Sequence, residues 1–209
     1  MLRFLAIPLL AATLAATVVD RIAVTVGNQV ITQTEILREI ALAAFLNGEK
    51  PSYAPQEMRK AADRLVEQKL VHREMEMGNY PFATVEQRNQ LLAETAKKVG
   101  GVPELERQLA AVGLTLADLE QHLSWQLTLV RFIDLRFRPA IQVSAQDIQD
   151  YYRDHVLPRQ KPGETLRLAD FRDRILETLS AERADQQLDE WLKHAKTTTR
   201  IDYKKALFP

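Results

Sequence analysis

Hydrophobic and polar positions alternate in one place only. Across VVDRIAVTVGNQVITQTE, Ile22, Val24 and Val26 are interleaved with Ala23 and Thr25, Gly27-Asn28 interrupts, and Val30-Ile31 resumes a β-branched run. A period of two predicts strands. The Gly-Asn pair between them predicts a two-residue hairpin turn, because both residues tolerate positive φ at little steric cost. Thr32 and Glu35 then form a capping box, so the hairpin runs straight into a helix. A two-stranded ribbon is marginal alone in water, and the remaining chain must cover it.

That remainder is patterned for helices. Ile36, Ile40 and Ala44 share one face of a helix from about Gln33 to Phe45, which Asn47-Gly48 closes. Pro55 opens a second helix in which Met58, Ala62, Leu65, Val66 and Leu70 recur at helical spacing, and Gly78-Asn79 stops it after Met77. Thr84 and Gln87 cap a third, carrying Leu91 and Leu92 as far as Gly100-Gly101. A short one with Leu105 and Leu109 follows Pro103. Thr115 and Asp118 begin the longest pattern, with Leu116, Leu119, Leu123, Leu127, Val130 and Phe137 on one stripe and Trp125, Leu129 and Phe132 on another. Ser144 and Asp147 cap a helix holding Ile148, Tyr151 and Tyr152, and residues 156–165, with Pro158, Pro162 and Gly163, read as a linker.

Beyond the linker, Leu168, Phe171, Ile175 and Leu179 make one stripe, whereas Leu188, Trp191, Leu192 and Ala195 lie on the opposite side of the same wheel. Such a helix needs two sets of neighbours or breaks near Leu179-Ser180. Thr197 to Tyr203 turns β-branched and predicts a third strand beside the hairpin. The fold class expected is mainly α, a multi-helix body with a small antiparallel sheet built from the N-terminal hairpin and a C-terminal strand.

Composition narrows the partners. The chain has 209 residues, 46% hydrophobic and 27% charged, enough for a sizeable core. Its 28 basic and 28 acidic residues balance, so no global charge attracts nucleic acid. The absence of cysteine excludes a disulfide scaffold, a thiol nucleophile and thiolate metal sites. Arg3 followed by the uncharged run Phe4 to Val19, with small residues at Thr13-Leu14-Ala15, predicts a secretory signal over residues 1–16. Sixteen uncharged residues fall short of the roughly 20 that span a bilayer; a retained anchor is the alternative.

Catalytic chemistry is hard to find. His72, His122, His155 and His194 fall one to a segment, and no histidine pair has helical metal-ligand spacing. His72, beside Glu74 and Glu76, reads as part of a solvated face. No G-x-S-x-G elbow and no phosphate-binding glycine loop occurs, so neither a serine hydrolase, a nucleotide nor any other cofactor is expected. Asp118, Glu120, Asp147 and Asp150 flank helix starts, where the macrodipole favours negative charge. What is left is apolar surface: Met75, Met77, Tyr80 and Phe82 around a helix end and loop, and Trp125, Leu129 and Phe132 on the longest stripe. Each cluster is either a binding surface or ordinary core.

The segments VVDRIAVTVGNQVITQTEI, RLVEQKLVHREMEMG, GLTLADLEQHLSWQL to RFRPAI and VSAQDIQDYY together resemble the N-terminal domain of SurA-type periplasmic chaperones. RDRILETLSAERADQQLDEWLKHAKTTTRIDY resembles the helix and strand that close that domain from the far end of the chain. The resemblance implies a chaperone region over 17–155 completed by 166–209, and a periplasmic location. Such chaperones carry parvulin-type prolyl isomerase domains where this chain has only residues 156–165, so the isomerase activity is not implied. The expectation is an ATP-independent chaperone that binds unfolded outer-membrane or other exported proteins through the two apolar clusters, without a metal. An adaptor binding one folded envelope partner is the alternative, and a prolyl isomerase is a more distant one.

Overall fold

A computed structural model describes residues 20–161 and 165–208. The expected signal segment, and Pro162 and Gly163 of the linker, lie outside the described residues. The chain is mainly α-helical with a small antiparallel sheet. Strand β1 (Ile22–Val26) and β2 (Gln29–Thr32) form the hairpin, and β3 (Ile201–Tyr203) pairs with the other edge of β1, giving the order β2-β1-β3. Val24 faces Tyr203 and Val26 faces Ile201 across this closure. Gly27, at φ 59°, supplies the positive angle in the turn, and its N–H donates to the Arg200 carbonyl at 2.8 Å. Both ends of the described chain therefore meet in one sheet.

The alternation is broken once. Pairing shifts register between Ile22 and Val24, so Ala23 turns inward to full burial while Ile22 is 46% exposed. A bulge adds one residue to a strand and flips the sides beyond it. The carbonyl of Ala23 accepts from the Lys204 N–H at 2.9 Å, a bond that carries the sheet past β3.

Among the described residues seven α-helices follow: α1 (Gln33–Asn47), α2 (Pro55–Met77), α3 (Val85–Val99), α4 (Val102–Ala111), α5 (Leu116–Arg136), α6 (Ala145–Tyr151) and α7 (Leu168–Thr198). Capping boxes start α1, α3, α5 and α6, with Thr32, Thr84, Thr115 and Ser144 each accepting from the residue three on. Gly78 ends α2 because the Tyr80 ring folds back against it; a Cβ there would stand 2.5 Å from that ring. The left-handed angle in this turn belongs to Asn79, at φ 52°.

Three apolar clusters hold the body together. The sheet packs on α1 and α2 through Val24, Val26, Ile31, Ile36, Ala62 and Val66. Leu92, Leu105, Leu109, Leu119 and Leu123 join α3, α4 and α5 to Leu42 of α1. Val71 and Met75 of α2 meet Phe132, Phe137, Ala184 and Leu192 in the third. Helix α5 thus divides its burial, its first half entering one cluster and its second half another. The buried positions are Leu119, Leu123, Thr128 and Phe132, whereas Val130, expected on the main stripe, is 58% exposed.

Helix α7 is continuous over 31 residues and has the two sets of neighbours its pattern demands. Its first half lies against α6 and the chain after it, where Tyr152 and Phe171 bring their rings within 6.3 Å. Its second half supplies Ala184, Leu188, Trp191 and Leu192 to the third cluster. Thr197 and Thr198 stay helical rather than joining the strand, because their hydroxyls donate back to the His194 carbonyl at 2.7 and 3.1 Å. The expected linker begins helically, with a π-helical Tyr152–Val156 and a 3-10 turn at Leu157–Arg159.

Candidate functional site

The two apolar clusters named from sequence divide by burial. Met75 and Phe132 are wholly buried and present nothing to a ligand. Tyr80 and Leu129 are half-buried against that same core, Tyr80 edge-on to Phe132 with ring centres 5.9 Å apart. Met77 is 72% exposed at the end of α2. Phe82 and Trp125 are the two that the structure brings together on an accessible face, through a residue that sequence reasoning assigned to solvent.

That residue is His72. Its imidazole lies between the Phe82 and Trp125 rings, each centre 5.4 Å away and inclined by 25°. Position 72 is one turn before Glu76 on the half-buried side of α2, and its partners come from a loop and from α5, so nothing local marked it. The loop is strapped to α5. Arg131 donates to the Phe82 carbonyl at 2.6 Å and to the Gln87 amide oxygen at 3.1 Å, and the Ala83 N–H donates to the Thr128 hydroxyl at 3.4 Å. This last bond explains a buried threonine on a stripe of apolar residues.

Trp125 also lines a cleft of about 250 Å³ between α1, α2 and α5. Leu42, Leu65 and Trp125 supply its apolar wall. Its charged lining, Glu35, Arg38, Glu39 and Asp118, is engaged within itself or by cations beside it: Arg38 with Asp118 at 3.7 Å, Arg64 with Glu39 at 2.9 Å, Lys69 with Glu35 at 3.8 Å. Pairing the rim leaves no strong net charge to select an ion, so the cleft favours an apolar guest with a polar backbone. The ladder Phe82, His72, Trp125 extends that wall along α2.

Burial holds the imidazoles of His72 and His122 below their ordinary value of 6.5. At His72 the positive Lys69 adds to the lowering and Glu76 opposes it; at His122 Glu39 opposes and Arg64 adds. The unfolded chain therefore takes up protons at these positions before the folded chain does. Stability is complete above about 6.5 and falls as pH drops through that value, because the unfolded state binds the extra protons. The urea midpoint is expected to drop between about pH 7.5 and about pH 5.5, and less so in a His72→Gln/His122→Gln variant. Identical pH dependence in both proteins would remove the imidazoles from the account.

Among the described residues no group of three or more histidine, aspartate or glutamate side chains converges on a metal position. No helix among them is long and apolar enough to cross a membrane. No protein-family model matches the chain, and no curated protein matches it significantly.

Proposed function

We propose that the protein is an ATP-independent periplasmic chaperone of the SurA type, lacking isomerase domains, that holds unfolded outer-membrane or other exported chains without a catalytic step. The observation that carries the reading is the accessible aromatic ladder of Phe82, His72 and Trp125 continuing into an apolar cleft with a paired polar rim. A β-barrel strand before membrane insertion exposes alternate apolar and aromatic side chains, the guests such a surface accepts. The resemblance of the hairpin, the following helices and the closing α7–β3 pair to that chaperone family supports it independently.

The cleft's size sets the affinity. A space of about 250 Å³ takes one large side chain rather than a folded domain. Burying one aromatic side chain of about 200 Å² contributes roughly 5 kcal/mol before ordering costs, so a single anchor binds only weakly. Micromolar holding, about −8 kcal/mol, then needs several anchors along the client, and release needs no nucleotide.

Light scattering from a denatured porin diluted into buffer tests the reading. The protein is expected to suppress aggregation. Trp125→Ala and Phe82→Ala are each expected to weaken suppression by roughly tenfold or more while circular dichroism stays unchanged. Equal aggregation with and without the wild-type protein would remove the proposal, and capture of one folded partner at fixed stoichiometry would favour an adaptor.

A further inference from the structure

A second recess, sharing no residue with the Trp125 cleft, lies between α7 and the chain that leaves α6. It encloses about 330 Å³. The Tyr152 hydroxyl donates to the Leu166 carbonyl at 2.5 Å, pinning the outgoing and returning limbs together. Val156, Leu166, Phe171 and Ile175 make the apolar lining.

Its charge is one-sided. Among the described residues, His155, Arg159, Lys161 and Arg174 line the recess and no carboxylate does. Three acidic groups nearby are committed elsewhere: Asp150 and Asp154 to Arg153 at 2.7 and 2.8 Å, Asp170 to Arg167 at 3.0 Å. Arg159 and Arg174 make no ion pair among the described residues, and the Arg174 guanidinium sits 5.1 Å from the Phe171 ring centre, held over the pocket's own aromatic wall. A guanidinium oriented on an aromatic face presents its planar fork to a carboxylate. A cation entering this recess meets like charge, and a neutral apolar molecule leaves both arginines unanswered.

We infer that this recess binds a small amphipathic carboxylate, an aryl or short alkyl body seated on Val156, Phe171 and Ile175 with its anionic end on Arg159 and Arg174. The volume lies at the lower bound of small-molecule sites, matching one ring with a short chain. The site stands apart from the chaperone reading and from its cleft.

Calorimetric titration of the full chain with 4-phenylbutyrate and with its neutral amide tests the inference. The acid is expected to bind about tenfold tighter than the amide. That preference should shrink between about 50 mM and about 500 mM salt. An Arg159→Gln/Arg174→Gln variant, both positions being on the surface, should bind acid and amide alike, and amide-resonance shifts in the wild type should centre on Val156, Phe171 and Ile175. Equal binding of acid and amide by the wild type, no binding of either at millimolar concentration, or undiminished acid binding by the double variant would overturn it.

Discussion

Phe132→Ala is expected to cost about 3–5 kcal/mol of stability and to lower the unfolding temperature by roughly 10 °C. The ring is fully buried and meets Tyr80, Phe137 and Trp191 edge-on, with centres 5.9, 5.5 and 5.3 Å away. Its removal leaves a cavity where α2, α5 and α7 converge, and each lost aromatic pair adds about 0.5–1.5 kcal/mol to the transfer cost. Phe82→Ala, at a ring 38% exposed, is expected to cost only about 1 kcal/mol. Urea unfolding of the two variants separates a structural ring from one available to guests. Equal losses would mean that Phe82 belongs to the core and that the ladder is not a binding surface.

Removing residues 201–209 is expected to do more damage than any point substitution. β1 loses the strand on its second edge, and Ile201, Tyr203, Leu207 and Phe208 leave the cluster beneath the sheet. Tyr203 is the best anchored of these, its hydroxyl donating to Asp63 at 2.5 Å and its ring lying 3.6 Å under the Arg59 guanidinium. Burial and that hydrogen bond push its phenol well above the ordinary range, so it remains a donor at any working pH. Losing four partly buried apolar side chains forfeits roughly 5 kcal/mol, comparable to the entire stability of a marginal protein. The truncated chain is expected to keep its far-ultraviolet helix signal, lose near-ultraviolet structure and bind a hydrophobic dye. A cooperative transition at the full-length midpoint would show that the head of the chain folds without its tail.

The local signals survived folding, and those that depend on distant neighbours did not. The four capping boxes were legible because the hydroxyl and its partner lie three residues apart, within reach in any context. The hairpin and its closure by a late strand were legible from period and composition, but the bulge at Ala23 was not, since it lies in the register between β1 and β2, which alternation alone does not fix. Val130, expected inside, is exposed, and Thr128, to which the pattern assigned no side, is buried where the loop at Ala83 reaches across 45 residues to its hydroxyl. His72 hid for the same reason. Its charged sequence neighbours pointed to water, whereas Phe82 and Trp125, which enclose it, come from other elements. Of the seven residues first named as a binding surface, spacing alone could not separate Met75 and Phe132, which are buried, from Phe82 and Trp125.

Val26 lies against Gln29 on one side and Ile201 on the other, and the two partnerships cannot form at the same time during synthesis. The turn closes within microseconds once made, while the other edge of β1 must wait for almost the whole remaining polypeptide to emerge. Until then a nascent chain carries an unpaired strand edge and an uncovered oily floor, and its maturation waits for β3. Joining Phe208 to Asp20 by a short linker and opening the chain elsewhere would abolish that delay, because the permuted polypeptide would make the three strands in succession.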